Sequence, residues 1–328
     1  MKLMRLLSVA VSLLAAFAAP SGAARVVENL FAAKLLDENR GWVVGAFGAV
    51  YRTDDGGATW DTQKTPTLDD LFSIDFSNEM DGVVVGKAGT ILRTDDGGRT
   101  WTKIDGGTNR NLFAVAFASR DHVWAVGDWG AVFESVDGGE TWKDRTLSDD
   151  IVLTDMAWAD AQHGALVGEF GSVRITDDGG VTWRPSDVGT DKTLFGVDFR
   201  SPTDGWVVGI DGLILRTRDG GETWDLQRGQ RGSSSLAELG ALEALRNPGL
   251  YDISFSDEFG YVVGDIGMML VSADGGENWA EHKLPAEMAL LWVRGVSAAP
   301  GDHAVVAGAN GLTARFDRGE VLLQKGDG

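Results

Sequence analysis

Thr53-Asp54-Asp55-Gly56-Gly57-Ala58-Thr59-Trp60, TDDGGATW, decides the fold because it comes back. Near copies end at Trp101 (TDDGGRTW), Trp142 (SVDGGETW), Trp183 (TDDGGVTW), Trp224 (TRDGGETW) and Trp279 (SADGGENW). The first five tryptophans are spaced 41 residues apart, and the sixth follows after 55. A period near 40 marks a repeat architecture whose single units cannot bury their own apolar faces. Within the motif, Asp55, Asp96, Asp137, Asp178, Asp219 and Asp274 are placed to accept backbone N–H groups, while the paired glycines supply positive φ without steric cost. The motif therefore reads as a structural turn. Trp60, Trp101, Trp142, Trp183, Trp224 and Trp279 are expected to open an outer strand and cover its edge.

Working outward, each repeat opens with an apolar strand, as in LFSIDF (71–76), LFAVAF (112–117) and LFGVDF (194–199). A second strand ends in glycine, a Gly-x-x-Gly reversal leads to a third, and the DGG turn leads to a fourth. Four short strands per repeat are the content of one propeller blade. The glycine pairs count the blades independently: Gly45/Gly48, Gly86/Gly89, Gly127/Gly130, Gly168/Gly171, Gly209/Gly212, Gly264/Gly267 and Gly308/Gly311 make seven. The expected fold is all-β, a seven-bladed propeller of four-stranded antiparallel blades, closed because closure protects strand edges. The seventh repeat has lost the turn motif, and Val26 and Val27 are expected to join the closure as an extra strand.

The ends and the insertion differ from the repeat. Lys2 and Arg5 precede the apolar run Leu6–Ala18 and a small-residue stretch, so residues 1–24 read as a secretory signal peptide cut near Ala23 or Ala24. That implies export to a periplasm, or to a thylakoid lumen in a phototroph, with residues 25–328 forming the propeller. The excess before Trp279 spans about 228–248, where Leu236, Leu239, Leu242 and Leu245 suggest a short helix that either packs on the propeller or binds a partner. There is no Cys, and the net formal charge is −20, which repels nucleic acid and anionic lipid head groups. The expectation is a monomer, peripheral to a membrane at most.

Three sets of residues are candidates for function. The Gly-x-x-Gly tips vary on a fixed scaffold, and Phe47, Trp129 and Phe170, beside Asp128, Glu169, Asp211 and Asp265, give an aromatic and acidic rim unless the rings fold over their hairpins. Arg52, Arg93, Arg216 and Arg315 recur on the third strands, broken at Glu134 and Val271; they are either solvated strand residues paired with acids or a docking row for a carboxylate-bearing partner. Asp75, Asp155, Asp198 and Asp252 recur on the innermost strands and are expected to line the channel with hydrogen bonds and water. With four His and no terminal Glu of a calcium loop, neither a metal nor a cofactor is expected.

The motif TDDGG-x-TW resembles the Asp-box of sialidases and related propellers. The whole unit, VVG-x-x-G followed by two hydrophobic residues, Arg-Thr and DGG-x-TW, resembles the repeat of the photosystem II stability and assembly factor family over residues 26 to about 325. That resemblance implies a seven-bladed, exported, non-enzymatic assembly factor that binds a reaction-centre subunit precursor through a basic patch, with Arg52, Arg93, Arg216 and Arg315 at the arginine of that repeat. The competing reading is a sialidase-like glycoside hydrolase or a carbohydrate-binding propeller. Hydrolysis would need an arginine triad, a Tyr–Glu nucleophile pair and an acid. The Arg-Ile-Pro signature of sialidases is absent; Tyr51 and Tyr261 stand at core positions, and Tyr251 is the tyrosine placed to face the channel.

Overall fold

The structure is a computed structural model and describes residues 25–232, 247–282, 284–317 and 319–323. The expected signal peptide and the helix expected at Leu236–Leu245 lie outside the described residues. Among these, the chain forms seven four-stranded antiparallel sheets, each built from consecutive strands in sequence order. In blade 1 these are Leu30–Leu35, Gly41–Gly45, Val50–Thr53 and Asp61–Gln63, from the channel outward. Second strands such as Gly41–Gly45 and Gly82–Gly86 are buried along their whole length, which explains why they read as unbroken apolar runs.

The core is divided into seven clusters, one at each junction between blades. Trp60 of blade 1 packs with Ala299, Val305 and Ala307 of blade 7. Trp101 of blade 2 packs with Trp42 and Val44 of blade 1, and Trp224 of blade 5 with Ala165, Val167 and Ile175 of blade 4. The motif tryptophans thus wedge against the preceding blade, where more apolar area is removed from water than at an outer edge. The second glycine of the motif makes room for this: a Cβ on Gly180 would lie 2.4 Å from the ring of Trp124. In blade 7, which lacks the motif, Phe316 fills the junction with blade 6 and meets Tyr261 at 5.2 Å between centroids.

The DGG turn is held by its own side chains. In the first copy Thr59 N–H donates to Asp55 Oδ1 at 2.8 Å, Thr59 Oγ1 to Asp55 Oδ2 at 2.6 Å, and Gly57 N–H to Thr53 Oγ1 at 2.8 Å. Partial burial pushes the Asp137 carboxyl up, but donors from Thr141 and Ser135 outweigh it and bring it down to about 2. At Asp274 the Asn278 donors lead, with the same result of about 2.

Closure differs from expectation in one respect. Val26 and Val27 belong to no strand, because blade 7 completes itself: Glu320–Leu323 pairs with Thr313–Asp317 and occupies the edge an extra strand would need. Val26 is instead buried at the junction of blades 1 and 7. The ring is closed by that packing, by Leu35 N–H donating to Ser297 Oγ at 2.9 Å, and by Asn310 N–H donating to Asn29 Oδ1 at 2.9 Å.

Because the Asp-box carboxyls sit below their ordinary value in the folded chain, their stabilisation is complete above about pH 4 and lost as pH falls toward about 2. Thermal melts across that window should show a falling midpoint, and Asp137→Ala should lower the midpoint at the upper end while making the fall shallower.

Candidate functional site

The tips of the Gly-x-x-Gly turns form one face of the ring. Six of the seven turns are short 3₁₀ reversals, the one at Asp265–Gly267 being a plain turn, and in all seven the middle residue is left-handed: Phe47 at φ 57°, Trp129 at 54°, Phe170 at 56°. Bulky residues are uncommon there, and the turns are tied down from the neighbouring blade. Phe47 N–H donates to Asp70 Oδ1 at 3.1 Å and Ala88 N–H to Asn111 Oδ1 at 2.9 Å. Gly48 closes the first turn at φ 72°, and a Cβ there would lie 2.2 Å from the Thr67 carbonyl oxygen. The rings do not fold back over the hairpins. Phe47, Trp129 and Phe170 are 72%, 60% and 71% exposed, and Leu68 and Leu290 on links of the same face are also exposed.

The arginine row lies toward the opposite face and reaches across the blade junctions. Arg52 Nη1 donates to the Gly97 carbonyl at 3.2 Å, Arg93 Nε to Gly138 at 2.9 Å and Arg216 Nη1 to Gly276 at 3.4 Å, each time in the Asp-box turn of the next blade. Acids meet the same heads: Asp54 at Arg52, Glu140 at Arg93, Asp204 and Glu277 at Arg216. The buried Arg216 also stacks on Trp206 at 4.5 Å; burial opposes its charge, but the two acids more than offset this and raise its pKa. Arg315 places its Cβ beside Gly57, across the closure of the ring. The arginines and the aromatic tips are therefore not brought together.

Between the faces runs a channel with a cavity of about 470 Å³. Every inner strand carries a register shift just after its first residue, for example between Leu30 and Ala32 and between Leu71 and Ser73. Such a bulge re-aims the extra side chain. Leu30 stays in the core while Phe31 lines the channel, and the same holds for Phe72, Phe113, Phe195 and Tyr251. These rings meet in tilted or T-shaped pairs: Phe31–Phe72 at 5.7 Å, Phe72–Phe113 at 5.4 Å, Phe195–Tyr251 at 5.3 Å. Arg294 completes the mouth with its guanidinium over Tyr251 at 4.8 Å. Sequence reading passed over this collar, although the recurring Leu-Phe pair at the start of each inner strand was its signal: adjacent apolar residues cannot share one face of a strand.

Below the collar, the four channel aspartates line the cavity as expected. They accept N–H groups from the next blade: Phe117 to Asp75 Oδ2 at 2.8 Å, Val197 to Asp155 Oδ2 at 2.9 Å, Phe255 to Asp198 Oδ2 at 2.7 Å and Val296 to Asp252 Oδ2 at 2.8 Å. Desolvation pushes Asp155 up to about 7 and Asp198 up to about 6, and it raises Asp252 well above the ordinary value with help from the nearby Asp155 charge. Lys34 binds Asp75 at 2.6 Å, and the Asp75 charge raises its pKa. Among the described residues no cluster has the makings of a metal site. Tyr251 does face the channel, but its hydroxyl donates to Asp265 at 2.8 Å, and burial followed by that carboxylate raises its pKa, the reverse of what a phenolate nucleophile needs.

A family model described as photosynthesis system II assembly factor YCF48 matches residues 23–108, 105–152 and 181–299. The chain belongs to that family. Two solved YCF48 structures are similar to it. One, described as YCF48 bound to D1 peptide, has a TM-score of 0.69 at 20% identity and covers 90% of this chain and 95% of its own. The other, YCF48 from Cyanidioschyzon merolae, has a TM-score of 0.65 at 21% identity and covers 89% and 96%. The WD40 propeller domain of Doa1 is similar at a TM-score of 0.67 and 13% identity, covering 89% and 93%. No curated protein matches the sequence. At these identities the structural likeness speaks for the propeller, and the family model carries the membership.

Two outcomes follow for this YCF48-family propeller. Arg216→Ala removes charged hydrogen bonds and a stacked guanidinium from a blade junction, and denaturant unfolding should show a loss of about 2–3 kcal/mol. Asp155 has a folded pKa above its unfolded one, so its own contribution to stability is fullest below the ordinary carboxylate range and is lost as pH rises through about 7. Asp155→Asn should therefore melt higher than wild type above that point, with the difference disappearing in mild acid.

Proposed function

We propose that this chain is an exported, non-enzymatic assembly factor. In this reading it works as a monomer in the periplasm, or in a thylakoid lumen if the source is phototrophic, and binds a protein segment of a membrane-complex subunit or its precursor. The observation that carries the proposal is the tip face, where Phe47, Trp129 and Phe170 stand exposed in left-handed turns of blades 1, 3 and 4 on one rim. Exposed aromatic anchors on a rigid rim offer large contact area at small entropic cost, the usual currency of protein recognition. Support also comes from the family's description as an assembly factor and from the D1 peptide named with one YCF48 structure. The signal-peptide pattern of residues 1–24 motivates export.

The arginine row is the less favoured docking surface, because Arg52, Arg93 and Arg216 already satisfy carbonyls and acids of the adjoining blades. A carboxylate-bearing partner would have to displace those contacts. The glycoside-hydrolase reading is weakened by the hydrogen-bonded Tyr251 and by the use of these same arginines as blade clasps.

In-cell crosslinking followed by purification and mass spectrometry tests the proposal. Wild type should recover an identified membrane-complex subunit, and the triple variant Phe47→Ser, Trp129→Ser, Phe170→Ser should recover at least tenfold less while remaining folded, as expected when several aromatic hot spots are removed. Recovery of no membrane protein, together with tight glycan binding that Trp129→Ala abolishes, would overturn it.

A further inference from the structure

The channel is not used by the docking reading, and it has features a plain structural core does not need. Its collar residues are the extra residues of strand bulges, so the backbone itself turns Phe31, Phe72, Phe113, Phe195 and Tyr251 toward the mouth. All five rings are half-buried, leaving part of each open to the cavity. One stretch of the collar already holds a cation: the Arg294 guanidinium lies over Tyr251 at 4.8 Å and over Trp292 at 5.7 Å. Blade 4 interrupts the ring with Thr154, whose hydroxyl donates to the Leu194 carbonyl at 2.6 Å.

Beneath the collar the charges are unbalanced. Asp155 and Asp252 stand one residue further along their strands than the collar positions, and Asp75 and Asp198 stand three further, about 3–10 Å deeper at the strand rise. Lys34 faces the same space but is bound to Asp75. Each of the other three carboxyls accepts backbone N–H groups and keeps lone pairs beyond those bonds. Burial is the first cause of their raised pKa values, with the Asp155 charge adding at Asp252 and Lys34 opposing the rise at Asp198.

We propose that the channel mouth is a binding site for an organic cation, an alkylammonium or guanidinium group that enters through the aromatic collar and is seated above the channel carboxylates. Aromatic rings attract such ions through their faces, and the carboxylates supply the compensating charge. The group is either a lysine or arginine side chain presented by a protein or a free small amine. The inference stands on the channel alone and does not require the tip face to dock a partner.

Calorimetric titration of the purified protein separates the sources and tests the idea. The probes are n-butylammonium chloride, the amidated peptide Gly-Gly-Lys-Gly-Gly, and the same peptide with neutral norleucine in place of lysine. Both cations should bind at about pH 8 and about tenfold more weakly near pH 5.5, where Asp155 is protonated in a channel shared with Asp75, Asp198, Asp252, Lys34, Tyr251 and Arg294. Tighter binding of the lysine peptide than of butylammonium assigns the cation to a protein segment, and equal binding assigns it to a free amine. Asp155→Asn should weaken both and flatten the pH dependence. Phe72→Leu with Phe113→Leu, which keeps apolar bulk but removes the ring faces, should weaken both without changing the pH profile. Norleucine peptide bound as tightly as lysine peptide, or no cation binding by the folded protein at about pH 8, overturns the proposal.

Discussion

Trp60 lies in the seam between the first blade and the last, and the equivalent indoles fill the seams at the other Asp-box turns. The rest of the molecule depends on this wedge. A four-stranded blade of this size cannot bury both of its faces, so its apolar surface is satisfied by the next blade and the core exists as seven shared clusters. Removing an indole from such a seam costs about 3–5 kcal/mol, and the loss falls on two blades at once. The arginines add a polar layer to the same seams. Their guanidiniums hydrogen-bond to the carbonyls of the neighbouring Asp-box turn, and at Arg216 the group also covers the face of Trp206.

The inner ends of the blades meet a different constraint. An innermost strand pairs on one side only, and its free N–H groups would otherwise face the channel unpaired. Ser73, Asp75, Asp155, Asp198, Asp252, Ser254 and Ser297 accept those groups from the following blade. Carboxylates are strong acceptors, but gathering several in one narrow space makes their ionisation costly. The same residues that tie the ring together therefore give the channel its charge and its sensitivity to pH.

The two faces divide the labour. The Asp-box face is built from a nearly invariant turn, each copy of which carries a second acid: Asp54, Asp95, Glu140, Asp177, Glu222 and Glu277. Many of these are engaged by the arginines. The opposite face keeps its backbone constant and changes the side chain at each tip, which is how a repeat scaffold varies a surface without disturbing its core.

Blade number, strand order and the Asp-box turn were legible in the sequence alone, because each depends on contacts within one repeat. Asp55 meets Thr59 four residues away, and glycine recurs where left-handed backbone recurs. The sequence also placed Asp155, Asp198 and Asp252 on the inner strands, where they are found. Exposure of Phe47, Trp129 and Phe170 was open until the turns were seen tied to the neighbouring blade with their rings outward. The aromatic collar and the engagement of the arginine row were decided by tertiary structure. Leu30 and Phe31 look alike in a string of apolar residues, and only pairing with the second strand creates the bulge that sends one to the core and the other to the channel. Arg52 looks like a solvated strand residue, and only the closing geometry of the ring brings it to the Gly97 carbonyl, 45 residues along the chain.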